Sequence, residues 1–494
     1  MADLILAIDQ GTTSSRALIV NRQGEIVSVA QQPIDMIYPH PGWVNQNAMN
    51  IWETTLACCR EAIATAGINA SDIAAIGITN QRETTVVWDP DTLEPLAPAI
   101  VWQSRQSAPQ IDELRNRGMA ERFTEITGLV PDAYFSASKL QWIFQHHPNL
   151  LALAETGGLV AGTVDSWLVA KLTNGKRHIT DLSNASRTML FDIRAREWSD
   201  ELLSDLGIPR RILPEVVPNV GALAETDAPI FGRAIPIMGM AGDQHAALFG
   251  QVCFAPGQAK NTYGTGSFLL MQTGDTAPVS RNQLLSTVAW QIGDQVDHAL
   301  EGSILVSGSA VGWLRDGLEM IEQSSEIGPL AASVPDPGGV HFVPALTGLG
   351  APYWDPDARG AILGITRGTT RAHIARAALE GIAFQVVEVV EAMQSDSGVA
   401  LTELRVDGGA SANDLLMQIQ ADLLGVPIVR PVNVETTALG AAYLAGLGAG
   451  IWSSTDEIAK IWVEDRRFEP SIGSDERAQR LAGWRAAVGR VLTS

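Results

Sequence analysis

The chain has 494 residues, Lys+Arg 34 against Asp+Glu 55, a net charge of −21 and an apolar share of 46%. That length calls for two large domains, and the acidic balance argues against nucleic-acid or anionic-membrane binding. Cys58, Cys59 and Cys253 make no disulfide framework, so a reducing, cytoplasmic setting is expected, and with no basic leader or long apolar run, neither a signal peptide nor membrane insertion is. Leu4–Val20 (LILAIDQGTTSSRALIV) reads as an apolar strand, a tight polar turn and a second apolar strand. A helix is predicted over Ile51–Ala66, with buried strands at Asp72–Thr79 and Thr84–Trp88 enclosing the polar Asn80-Gln81-Arg82-Glu83. Ser138–Phe144 starts a helix, and Ala234–Met240 is a strand ending at Ala241-Gly242-Asp243-Gln244, before a helix over Ala246–Val252. The domains are divided as 1–252 and 253–494, within the CFAPG stretch. Asn261–Gln272 (NTYGTGSFLLMQ) is a second hairpin, Gly339–Pro344 a strand, Leu346–Gly360 a Gly/Pro/aromatic-rich loop and Arg371–Met393 a long helix. Leu404–Val406 is a strand running into Asp407-Gly408-Gly409-Ala410, after which Ser411 is expected to cap a helix whose buried stripe is Leu415, Leu416, Ile419 and Leu423. Strands alternating with helices indicate an α/β protein.

The two hairpins share a pattern. Gly11-Thr12-Thr13-Ser14 and Gly264-Thr265-Gly266-Ser267 both read Gly-Thr-x-Ser before an apolar run. Glycine lets backbone N–H groups approach an anion closely, and Thr and Ser add small donors. One such turn is an ordinary hairpin; two point to related halves facing one phosphate chain. No Gly-Lys-Ser/Thr follows a Gly-rich run, so this is not a Walker loop. Asp9 is anionic and suits a magnesium ion better than a phosphate. Arg82-Glu83 is either a solvated pair or a donor–acceptor set for neighbouring hydroxyls of a polyol. Asp243 is either a helix cap or a general base for an alcohol attacking phosphorus. Gly408-Gly409 is either a strand-to-helix turn or room for an adenine or ribose, with Asn413 adding a polar contact. Trp102 and Phe268 are candidates for an apolar wall against a polyol's CH face, and Tyr134 for a hydroxyl contact.

Taken in order, DQGTTSSR (Asp9–Arg16), GITNQRETTVVW (Gly77–Trp88), IVWQ (Ile100–Gln103), GTVDSW (Gly162–Trp167), NASRTMLF (Asn184–Phe191), AGDQHAALFG (Ala241–Gly250), KNTYGTG (Lys260–Gly266), Gly348–Gly368 and VDGGA (Val406–Ala410) resemble the FGGY carbohydrate kinases, and within them the glycerol-phosphorylating members. The resemblance implies an actin/hexokinase-like (ribonuclease H-like) fold, two domains around a deep cleft. It implies MgATP-dependent phosphorylation of glycerol to sn-glycerol 3-phosphate, with glycerol and ATP as partners and a homo-oligomer, dimer or tetramer. Carried onto matching positions, Arg82, Glu83, Trp102, Tyr134, Asp243, Gln244 and Phe268 bind glycerol, and Asp243 is the base. Asp9 and Asp243 serve the Mg²⁺. Thr12, Thr13, Ser14, Arg16, Thr265, Gly308, Gly409 and Asn413 contact ATP, with the nucleotide mainly on the C-terminal domain and the polyol on the N-terminal one. The chain departs from the family pattern at Gly312, where a Gln is common. It also has Ala234 where some bacterial members carry an Arg used for sugar-bisphosphate inhibition, with Arg233 one position out of register, so weak or absent inhibition by fructose 1,6-bisphosphate is expected.

Overall fold

The computed structural model describes residues 3–493. Its first sheet has six strands: β1 (Leu4–Gln10), β2 (Ser14–Val20), β3 (Ile26–Pro33), β4 (Ile73–Asn80), β5 (Val220–Glu225) and β6 (Pro236–Gly242), in the order β5-β6-β4-β1-β2-β3. β1, β4 and β6 are parallel neighbours, while β2, β3 and β5 run antiparallel to theirs. β1 reads LILAIDQ and is buried over nearly its whole length, the signature of an interior strand covered on both faces. Helix α1 (Ala48–Thr65) covers one face, packing on β2 and β3.

The second sheet holds β7 (Gln258–Tyr263), β8 (Ser267–Gly274), β9 (Leu285–Ile292), β10 (Gln295–Ile304), β11 (Glu403–Asp407), β12 (Ile428–Pro431) and β13 (Glu464–Phe468), ordered β9-β10-β8-β7-β11-β12-β13. From β10 to β13 it repeats the first sheet: two antiparallel pairings among three strands, then a parallel core, then an antiparallel edge, with β7-β8 standing where β1-β2 stand. The duplicated Gly-Thr-x-Ser turns therefore occupy equivalent places in two equivalent sheets. The 27-residue helix over Arg371–Ser397 packs beside the second sheet.

The two halves meet through helix α2 (Asp243–Gly250) and helix α3 (Thr436–Gly448). α3 comes from the second half of the chain but lies on β1, β4 and β6 of the first. Small residues allow it: a Cβ on Gly440 would stand 1.8 Å from the Ala246 carbonyl oxygen, and one on Gly77 would stand 2.1 Å from that of Ala441. Only glycine admits such an approach of backbone to backbone.

Several local expectations shift. Asn413, not Ser411, caps the helix Asp414–Leu424: its side chain accepts from the Leu415 and Leu416 N–H groups, while the Ser411 hydroxyl donates to the Gly408 carbonyl at 2.7 Å. Asn413 has the extended backbone a cap needs, whereas Ser411 sits inside a short 3₁₀ turn. The strand expected over Thr84–Trp88 shortens to Val86–Trp88 and pairs with Val160–Gly162 outside the main sheet. The helix expected over Ala246–Val252 begins at Asp243, and the one expected over Ser138–Phe144 spans Ser136–His146. No helix among the described residues is long and apolar enough to cross a membrane.

Candidate functional site

Asn80–Glu83 leave the end of β4 and are all buried. Glu83 has φ 57, a left-handed conformation that costs a non-glycine residue energy and is tolerated where the surroundings enforce it. Here the surroundings are ionic. The Glu83 carboxylate accepts from Arg187 Nε at 2.7 Å, and its backbone oxygen accepts from the Ser136 hydroxyl at 3.1 Å. Arg82 places Nε 2.9 Å from Asp243 Oδ1, and its two Nη atoms donate to Glu301 at 2.5 and 3.1 Å. Arg187 Nη2 donates to the same Glu301 at 3.0 Å. Burial opposes the charge on Glu301, but Arg187 and Arg82 outweigh it and hold the carboxyl at about 2. Burial pushes the Glu83 carboxyl up, with Arg187 and Arg82 opposing.

Asp243, the first residue of α2, keeps a part-exposed side chain at the rim of this network. Its Oδ1, paired with Arg82, accepts a hydrogen bond from the Gln244 N–H at 2.7 Å. The Gln244 side-chain oxygen is held by Lys260 Nζ, which also donates to the Thr262 hydroxyl at 2.9 Å. Burial lowers Lys260 to about 8, with Asp407 and Asp243 opposing. Beside these polar groups stand three aromatic rings: Trp102 is edge-on to Tyr134 (5.4 Å between centroids) and to Phe268 (6.4 Å). Arg187 lies beneath Tyr134, 5.7 Å from its ring. Lys139, fully buried, donates to the Tyr134 carbonyl, and burial lowers it to about 7. The expected polyol residues Arg82, Glu83, Trp102, Tyr134, Asp243, Gln244 and Phe268 are thus brought together around ionised groups and one apolar wall.

The Trp102 Nε1–H donates to the Thr12 hydroxyl at 2.8 Å, joining that wall to the first hairpin. In the turn, the Gly11 N–H donates to the Ser14 carbonyl at 2.9 Å. Asp9, at the end of β1, is raised to about 6, chiefly by burial; Arg16 opposes, and Asp243 and Glu435 add to the rise. Arg16 pairs with Glu435 at 2.6 Å and lies 3.8 Å from Asp9. Asp9, Arg16, Gly408, Gly409, Arg430 and Glu435 line one cavity of about 610 Å³, drawn from both halves of the chain. The second hairpin rests on the helix Gly308–Asp316: the Gly308 N–H donates to the Gly264 carbonyl at 3.0 Å, and the Ser309 hydroxyl donates to that of Thr265 at 2.8 Å.

Four expected nucleotide residues make contacts within the protein. Ser14 accepts from the Gln31 side chain at 3.0 Å, Asn413 caps its helix, and Thr265 and Gly308 touch each other's turns rather than lining the cavity. Arg187, Glu301, Lys260, Asp407 and Glu435 are site residues that sequence reasoning missed. The signal for Glu301 was a lone carboxylate in the apolar run HALEGSIL; for Arg187 it was its place inside NASRTMLF. Among the described residues no three His, Cys, Asp or Glu side chains form a ready-made metal cage. Asp9 and Asp243, close enough to couple electrically, fit an ion that brings most of its oxygen ligands with it, as a nucleotide-chelated divalent cation does.

Comparison with known proteins agrees along the whole chain. Residues 4–250 match the N-terminal domain, and 259–449 the C-terminal domain, of the FGGY family of carbohydrate kinases. The chain is 56% identical to a glycerol kinase of Symbiobacterium thermophilum over 98% of each chain. It is also 56% identical to glycerol kinase 2 of Thermotoga maritima, over 99% of this chain and 98% of that one. The crystal structure of Plasmodium falciparum glycerol kinase with ADP superposes with a TM-score of 0.95 at 35% identity, covering 99% of this chain and 98% of that one.

Proposed function

Because the chain belongs to the FGGY family of carbohydrate kinases, we propose that it transfers the γ-phosphoryl group of ATP to glycerol, giving sn-glycerol 3-phosphate. One observation carries the reading: the buried Arg82 sits 2.9 Å from a part-exposed Asp243, next to a three-ring apolar wall that is hydrogen-bonded to a phosphate-type turn. A three-carbon polyol needs this mixture, with donors and acceptors for its hydroxyls and a flat surface for its CH face.

Arg82, Glu83, Tyr134 and Gln244 hold glycerol's hydroxyls, and Trp102 and Phe268 cover its carbon edge. Asp243 is anchored through Oδ1, and its other carboxylate oxygen takes the proton of the attacking hydroxyl. Thr12, Thr13, Arg16 and the Gly264–Ser267 turn face the phosphates from opposite sheets, and stabilise charge on the transferring group. Gly408 and Gly409 leave room for the nucleoside. Asp9 and Asp243 would help to hold a nucleotide-borne magnesium ion, which would supply neutralisation of phosphate charge. The first half supplies most of the polyol contacts and the second most of the nucleotide contacts; approach of the halves excludes water and limits ATP hydrolysis. The three thiols are free and buried, which supports a reducing compartment.

The test is ADP release with and without glycerol. Release that depends on glycerol, and disappears in Asp243→Asn while ATP still binds, is the expected result. Equal release without glycerol rejects the acceptor, and near-normal turnover of Asp243→Asn rejects the base.

A further inference from the structure

Glu301 lies outside every group of residues so far given a role in the reaction, yet it is the hub of the charge network beneath the polyol site. It comes from β10, in the second half of the chain, where it stands opposite Leu270 and Leu285. It is fully buried. Its carboxylate receives both Nη groups of Arg82 and Nη2 of Arg187, residues 219 and 114 positions away. Two guanidiniums and two carboxylates, Glu83 and Glu301, thus balance each other, and Asp243 is the extra anion at the rim.

The Arg82 guanidinium has three nitrogens. With Glu301 occupying both Nη positions, Nε alone faces Asp243. Without that grip the planar fork is free to turn and pair both edges with Asp243, since two-point Arg–carboxylate contacts are the strong ones. That turn would occupy the oxygen needed for the proton and remove the donor from the polyol. We propose that Glu301 is a positioning residue for the acceptor alcohol: it aims Arg82 from the opposite half of the molecule, so that glycerol affinity depends on β10 being docked beneath β4. The inference rests on the glycerol-kinase reading above.

Two variants separate aim from bulk stability. Glu301→Asp keeps the charge and shortens the reach; Glu301→Gln keeps the shape and loses the charge. Both are expected to raise KM for glycerol about tenfold or more, the scale of one weakened charge-assisted hydrogen bond. ATP affinity, measured directly by calorimetry without glycerol, is expected to change less than about twofold, because no Glu301 contact reaches the nucleotide cavity. A purely structural carboxylate would lower melting temperature and active fraction while leaving glycerol KM alone, and that result in either variant overturns the proposal. A Glu301→Asp chain that does not fold assigns the residue to the fold and also overturns it. If the unaltered enzyme shows no glycerol-dependent turnover, the acceptor reading fails instead, before Glu301 is tested.

Discussion

Asp9→Asn should make the protein more stable and nearly inactive, and the two effects should have different pH dependence. Asp9 is buried at the end of β1, and its carboxyl is raised from 3.8 to about 6, mainly by burial. A raised native value means that the protonated form is favoured in the fold. The stabilisation is fully present below about 3.8 and is lost as pH rises through about 6. Above that point the folded protein carries the unfavourable anion, at a cost of about 3 kcal/mol from the gap between the two values. Asparagine is neutral and nearly isosteric, and Arg16 keeps its partner Glu435 at 2.6 Å, so no orphan cation is left behind. Thermal melts of Asp9→Asn should therefore run several degrees above the parent at pH 7.5, with the gap closing near pH 4. Glycerol-dependent ADP release should fall by about 100-fold or more if Asp9 serves the magnesium ion as proposed, since that anion is gone. In the parent, MgATP affinity should weaken by about tenfold for each pH unit below about 6, because the site must then shed a proton to bind. A melting temperature at pH 7.5 no higher than the parent's, or a gap unchanged between pH 4 and 7.5, refutes the reasoning.

Gly440→Ala places a Cβ 1.8 Å from a backbone oxygen, so the strain should exceed the ~1 kcal/mol of helix propensity gained and lower the melting temperature; Gly312→Ala, with nothing within 4 Å, should be neutral or slightly stabilising. Equal melting temperatures for the two would discount the close α2–α3 crossing. Trp102→Phe keeps an apolar ring but drops the hydrogen bond to Thr12. Steady-state kinetics should show kcat reduced by about 5–10-fold with glycerol KM changed less, as expected for losing one such bond at the first Gly-Thr-x-Ser turn. Fructose 1,6-bisphosphate should inhibit weakly or not at all, since Arg233 stands beside Ala234 with its Nε donating to that residue's carbonyl; strong inhibition at millimolar concentration would contradict this.

Much of the site was legible because its chemistry is local. Gly-Thr-x-Ser turns advertise themselves through glycine's freedom and small hydroxyl donors, whatever surrounds them, and their repetition anticipated the duplicated sheets. Asp243 and Gln244 were readable because they follow directly on an apolar strand. The helix cap at Asn413 was misplaced on Ser411 because both residue types cap well; the choice depends on which of two nearby residues adopts the extended backbone, and the Gly408–Ala412 turn decides that.

By itself, the order of residues determined two repeated α/β halves, a Gly-Thr-x-Ser turn in each, and a set of polyol-type side chains. It could not say which charges meet. Arg82, Arg187 and Glu301 are brought into contact by strand order and by the register of β8 against β10, across separations of more than a hundred residues. A buried charge is stable only with its partner, so the tertiary structure alone decided that Arg82 is held from below by the opposite half. It also decided that α3 belongs in space to the first sheet, because only the packed fold shows where glycine lets two backbones touch.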